Sequence, residues 1–212
     1  MVYAFPGMPN LTRHRGLVPP DQRATLLGQR GAVIWLTGLS GAGKSTLAYG
    51  LERRLIADRH PAYVLDGDNV RMGLCSDLGF SPEDRDENIR RVGEAAALFA
   101  DAGVIVVASF ISPYRAARDR ARACAGEGRF IEVFLDVSVA VCERRDPKGL
   151  YRKARAGELL EFTGVSAPYE EPLDPEVRLD TDSLTVDECV EQLISYLRHN
   201  GFWNPDPADV PR

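Results

Sequence analysis

The sequence holds little of what a metal-centred or membrane-bound protein needs. It has four cysteines and three histidines. Cys75, Cys124, Cys142 and Cys189 form no C-x-x-C pair, and His14, His60 and His199 lie far apart, so no zinc site is expected. Four reduced thiols in a cytosolic protein are the simpler expectation. Long apolar runs are missing as well. The longest, around Val104–Ile111, is far too short to span a bilayer. Pro6, Gly7 and Pro9 stand where a signal peptide needs an apolar stretch. There is no basic excess either: 26 lysines and arginines face 31 acids, a net charge of -5. That balance argues against a nucleic-acid polymer as partner. The expectation is a cytoplasmic protein that binds no membrane.

What remains is the make-up of a globular domain. At 212 residues and 44% hydrophobic, the chain can bury a core without staples. Residues 1–30 are poorly patterned and read as an arm, with a short helix near Asp21–Leu27. Residues 31–200 read as one domain. Residues 201–212 carry three prolines and read as a loose tail. Inside the domain, short apolar runs alternate with helical patterns. Strands are expected at Ala32–Thr37, Ala62–Leu65, Val104–Ala108, Phe130–Leu135 and Val177–Leu179. Helices are expected at Lys44–Asp58, from Ser81 to about Ala102, at Pro113–Ala125, Val139–Arg145, Leu150–Ala156 and Thr185–His199. Ser81-Pro82-Glu83-Asp84 is a helix start, with Ser as cap and Pro at the first helical position. Strands separated by helices imply an α/β fold, a central parallel sheet covered on both faces. Ligands in such sheets bind at the carboxyl ends of the strands.

The loop after the first strand carries the clearest chemistry. Gly38-Leu39-Ser40-Gly41-Ala42-Gly43-Lys44-Ser45, followed by Thr46, matches G-x-x-x-x-G-K-[ST]. Its glycines let the backbone wrap a phosphate closely, and the following helix offers its positive end. Lys44 is placed to reach the β- and γ-phosphates of ATP, and Ser45 to ligate Mg²⁺. Switch GTPases usually carry an N-K-x-D element, and this chain has none. A small-molecule kinase is therefore favoured. Asp66-Gly67-Asp68 ends the second strand. Asp66 is placed to take a proton from an attacking hydroxyl or to help hold Mg²⁺, and Asp68 to cap the next helix. Arg71, Arg85 and Phe80 are open between binding an anionic purine compound and ordinary packing. Arg90 and Arg91 look like a solvated helix face.

Several further segments together resemble one family, the adenylyl-sulfate kinases. They are Leu65-Asp66-Gly67-Asp68-Asn69-Val70-Arg71, Asp77-Leu78-Gly79-Phe80-Ser81, Glu87-Asn88-Ile89-Arg90-Arg91, Ser109-Phe110-Ile111-Ser112-Pro113-Tyr114-Arg115, Asp146-Pro147-Lys148-Gly149-Leu150-Tyr151 and Glu161-Phe162-Thr163-Gly164. The resemblance covers about Gly31 to Leu197. It implies a P-loop kinase of three layers, like the nucleoside-monophosphate kinases. It also implies a reaction: ATP phosphorylates the ribose 3′-hydroxyl of adenosine 5′-phosphosulfate (APS), with Mg²⁺. By resemblance, Arg71, Arg85 and Asn88 bind the acceptor's phosphosulfate and adenosine. Phe80 and Phe162 sandwich its adenine, Ile111 and Ser112 line the site, and Lys148 and Leu150 form a lid. Lys44, Asp66 and Ser112 are the candidate catalytic residues. The serine matching Ser112 has been described in the family as carrying a phosphoserine intermediate. No neighbouring base is evident here, so direct in-line transfer is simpler. Met72 and Cys75 stand where the family often has Phe and Asn. The resemblance further implies a homodimer, and a functional association with an ATP sulfurylase. A paralogue acting on another nucleotide or sugar hydroxyl is the alternative. A non-catalytic nucleotide-binding subunit would be expected to have lost Lys44, Ser45 or Asp66, and all three are present.

Overall fold

The computed structural model describes residue 14 and residues 16–203. Five strands form one wholly parallel sheet in the order β2-β3-β1-β4-β5. They are β1 (Ala32–Thr37), β2 (Ala62–Asp66), β3 (Ile105–Ser109), β4 (Phe130–Asp136) and β5 (Val177–Asp180). All six residues of β1 and all five of β3 are buried, as expected of central parallel strands covered on both faces. Side chains alternate between the faces. Ala32, Ile34 and Leu36 join one core cluster with Leu47, Leu51 and Leu55 of α2 (Lys44–Ala57) and Leu193 and Leu197 of α8 (Val186–His199). Val33 and Trp35 join the other, with Val92 and Ala96 of α4 (Pro82–Asp101) and Ala117 and Ala121 of α5 (Arg115–Ala125). The three-layer α/β sandwich expected from the alternating pattern is what forms. The remaining helices are α1 (Pro20–Leu27), α3 (Gly67–Arg71), α6 (Val139–Arg145) and α7 (Leu150–Arg155).

Three details depart from the sequence expectation. The helix after Pro113 starts only at Arg115, because Ser112 and Tyr114 keep non-helical backbones. The five-residue α3 appears directly after β2. Its cap is Asp66, whose carboxylate accepts the Asp68 N–H, so Asp68 is not the cap. Asp66 has the extended backbone a cap requires, whereas Asp68 is already inside the helix.

The third departure concerns the expected loose tail and arm where they meet the domain. Gly201, at φ 67°, turns the chain back after α8. Phe202 and Trp203 then bury to 5% and 4% exposure within the core. Arg30 N–H donates to the Phe202 carbonyl at 2.7 Å, and Gln29 bridges to Trp203. The Gln29 amide donates to the carbonyls of Pro61 and Gly103, each at 2.8 Å. His60 stacks on Trp203 at 4.4 Å. Residues 29, 30 and 201–203 are thus part of the body; the rest of the expected tail, and the arm before residue 14, lie outside the described residues. Trp203→Ala is expected to destabilise the protein by about 3–5 kcal/mol. Urea unfolding followed by the remaining Trp35 fluorescence measures this. An unchanged midpoint would show that the segment contributes no packing energy.

Candidate active site

The site gathers at the carboxyl ends of β1, β2 and β3. After Thr37 the chain enters the loop Gly38–Gly43 and then α2. Gly41 and Gly43 have φ of 78° and 97°, left-handed angles that a Cβ disfavours. At Gly41 a Cβ would also stand 3.0 Å from the Cys142 carbonyl oxygen, because the loop lies against α6. Among the described residues no side chain caps the N-terminus of α2, so its first N–H groups are left for an anion. Lys44 folds back over the loop. Its ammonium donates to the Gly38 and Leu39 carbonyls at 3.0 and 2.7 Å. The residue as a whole is only partly shielded, but the ammonium itself is enclosed, and its desolvation pulls the pKa from 10.5 down to about 8.

Ser45 and Asp66 meet beside the loop, the hydroxyl donating to Asp66 Oδ2 at 2.7 Å. Asp66 is 7% exposed. One hydroxyl and one carboxylate suit Mg²⁺, which commonly binds through one or two carboxylates while keeping waters and substrate phosphate oxygens. The other Asp66 oxygen caps α3, the helix that carries Arg71. Asp68 pairs instead with Lys148 across the opening.

At the end of α3, the Arg71 guanidinium lies 4.4 Å from the centre of the Phe80 ring and donates to the Gly79 carbonyl at 2.8 Å. Phe80 is 68% exposed, presenting an open aromatic face. Arg85 joins two segments. It donates to the Phe80 carbonyl at 2.9 Å, to Thr163 Oγ1 at 3.1 Å and to the Glu161 carbonyl at 2.8 Å. Phe80 and the neighbourhood of Phe162 are thereby held by one guanidinium. Asn88, on α4, is 3% exposed, and its Nδ2 has no hydrogen-bond partner among the described residues. An unmet buried donor costs about 1–3 kcal/mol, which points to a ligand acceptor at that spot. Arg90 pairs with Glu87 on the exposed helix face, whereas Arg91, expected to be solvated like it, pairs with Glu87 and Asp77 and donates to the Leu74 carbonyl at 3.1 Å, tying α4 to the preceding loop. Cys75 is fully buried in the cluster below α4, a packing residue.

Ile111 and Ser112 follow β3. Ser112 has φ 41° and is 2% exposed. Its hydroxyl accepts from Trp35 Nε1 at 3.0 Å and donates to Thr37 Oγ1 at 3.0 Å. Its carbonyl accepts from Arg118 at 2.7 Å. The hydroxyl is therefore committed to the end of β1, and among the described residues no carboxylate or imidazole is hydrogen-bonded to it. The segment holding Lys148 and Leu150 is built by Asp146, whose carboxylate accepts the Tyr151 and Arg152 N–H groups, each at 3.1 Å, and so starts α7 at Leu150. Sequence reasoning missed Tyr151 and Thr163. Both stand within segments quoted for the resemblance, but their partners, Ser40 and Arg85, are 111 and 78 residues away.

The family model for adenylylsulphate kinase matches residues 30–180. The adenylyl-sulfate kinase of Shewanella amazonensis is 54% identical over 195 residues, covering 92% of this chain and 98% of its own. That of Vibrio cholerae is 57% identical over 188 residues, covering 89% and 87%. Among solved structures, the Mycobacterium tuberculosis APS kinase in complex with AMPPNP and APS superposes with a TM-score of 0.77 at 48% identity, over 80% of this chain and 99% of that one. With the phosphate loop, the capped α3 and the Arg85 bridge all in place on this sheet, the chain belongs to the adenylyl-sulfate kinase family.

Proposed function

We propose that the protein transfers the γ-phosphate of ATP to the 3′-hydroxyl of APS, giving ADP and the 3′-phosphorylated product. The position of Asp66 carries this reading. One carboxylate takes the Ser45 hydroxyl from the donor loop and caps the helix that bears Arg71 of the acceptor side. Donor and acceptor therefore meet at a single acid. Lys44 and the loop N–H groups hold the β- and γ-phosphates. Ser45 and Asp66 hold Mg²⁺, which when bound neutralises charge on those phosphates. Arg71, Arg85 and Asn88 bind the phosphosulfate and adenosine, with Phe80 and Phe162 stacking on the adenine. Ile111 and Ser112 line the pocket, and Lys148 and Leu150 close it. Asp66 accepts the proton as the 3′-oxygen attacks phosphorus in line and ADP leaves. The committed hydroxyl of Ser112 favours direct transfer over a phosphoserine intermediate.

Purified protein with ATP, Mg²⁺ and APS is expected to yield 3′-phosphoadenosine 5′-phosphosulfate, resolved by anion-exchange chromatography. Phosphorylation of AMP analogues or sugars without turnover of APS would overturn the reading in favour of a paralogous kinase.

The proposal extends to a cytoplasmic homodimer. Free thiols at Cys75, Cys124, Cys142 and Cys189 support a reducing compartment. Among the described residues no helix is long and apolar enough to cross a membrane. Exposed Leu26 and Leu98 offer apolar surface to a second copy. An ATP sulfurylase, which joins adenylate to sulfate, is the class of enzyme that supplies the acceptor.

A further inference from the structure

Tyr151 is not among the groups that the sequence marks for ATP or for its acceptor, yet it touches both sides of the site. It is 1% exposed. Gly149, at φ 66°, turns the lid segment into α7, and Asp146 fixes the Tyr151 N–H at 3.1 Å. The phenol then reaches the phosphate loop and donates to the Ser40 carbonyl at 3.0 Å. Its ring packs against Phe162 in a T-shaped pair, centroids 5.0 Å apart and planes at 80°.

A trans peptide points its C=O and its following N–H in opposite directions. Tying down the Ser40 carbonyl therefore sets the direction of the Gly41 N–H, one of the donors of the phosphate loop. Burial first, and then neighbouring Cys142, push the Tyr151 phenol well above its ordinary pKa, so it remains a donor through the neutral range. At its other end the same ring supports Phe162, whose neighbours Glu161 and Thr163 are held by Arg85. A shift of Phe162 on stacking is transmitted through one rigid ring to the loop backbone.

We propose that Tyr151 is a positioning residue that links the donor and acceptor halves, so that nucleotide and APS bind with coupled affinities. The inference rests on the reading of Phe162 as an acceptor contact. Coupling of this kind is reciprocal: each ligand must shift the other's affinity by the same factor.

ADP and APS together form no product, so the coupling is measurable without turnover. ADP is titrated calorimetrically into the protein, without and with saturating APS. In the unmodified protein APS is expected to shift the ADP dissociation constant about fivefold or more. Tyr151→Phe keeps the ring but removes the donor. The coupling should then fall below about twofold, and KM for ATP should rise more than KM for APS. Phe162→Leu keeps the Ser40 hydrogen bond. It should bind ADP alone as before and still lose the coupling. Unmodified coupling in folded Tyr151→Phe, or none in the unmodified protein, overturns the proposal. Should Tyr151→Phe fail to fold, retained coupling in Phe162→Leu overturns it. Absence of APS turnover by the unmodified protein would instead sink the functional reading, and the turnover assay shows that separately.

Discussion

Lys44→Ala is expected to lower kcat/KM by about 10³-fold or more, since even one preorganised donor to a developing charge is worth about 10²–10³. The fold should survive. The only hydrogen bonds that the Lys44 side chain makes among the described residues are to the Gly38 and Leu39 carbonyls of the phosphate loop. Its folded-state pKa of about 8 lies below the 10.5 of the free side chain. The unfolded chain therefore holds more protons than the folded one between those two values. Stability of the ligand-free protein rises with pH across that window, and the full penalty for burying the ammonium is present below about 8. Removing Lys44 removes the penalty, so the variant should be at least as stable as the parent at pH 7. The same pKa gives a signature in binding. ATP needs the charged ammonium, so affinity in the parent should be flat below about pH 8 and decline above it, approaching tenfold per pH unit. Calorimetric titration from neutral to alkaline pH tests this. A pH-independent ATP affinity, or a variant with near-parental turnover, contradicts the assigned role.

Asp66→Asn is expected to cut kcat by about 10²–10⁴, the range for loss of a positioned base, while ATP affinity changes by only a few-fold. Asparagine separates two functions that alanine confounds. An amide oxygen still accepts the Asp68 N–H and caps α3, so Arg71 stays in place. Asp66→Ala loses the cap as well, at about 1 kcal/mol, and loosens the acceptor side. Single-turnover rates set beside equilibrium ATP binding separate the two effects. A rate close to the parent's in Asp66→Asn would remove the carboxylate charge from the mechanism.

The strands were legible because a parallel sheet covered on both faces demands unbroken apolar runs, and Ala32–Thr37 is one. The phosphate loop was legible because its glycines and Lys44 do their work within eight residues. Where partners are distant in sequence, the pattern said less. The α3 helix has one buried residue, Val70, and exists because Asp66 caps it; no apolar stripe announces five residues. Phe202 and Trp203 read as tail because prolines follow them, whereas the surface that buries them is assembled from Gln29 and His60. Spacing alone left Arg71, Arg85 and Phe80 open, and the family resemblance assigned them roles. The structure adds the bonds of Arg85 to residues 80, 161 and 163. Nothing local to Ser112 shows that its hydroxyl is occupied, since Trp35 and Thr37 are 77 and 75 residues away.

The bridge between Gln29 and Trp203 joins the first and last turns of the body at the pole where β1, β2 and β3 begin, next to Pro61 and Gly103. The phosphate loop opens at the other pole, beyond the six residues of β1, roughly 20 Å away. Residues 29–30 and 201–203 thus brace each other in one socket, so loosening it would disturb the pole opposite the phosphate loop and leave the loop's own hydrogen bonds in place.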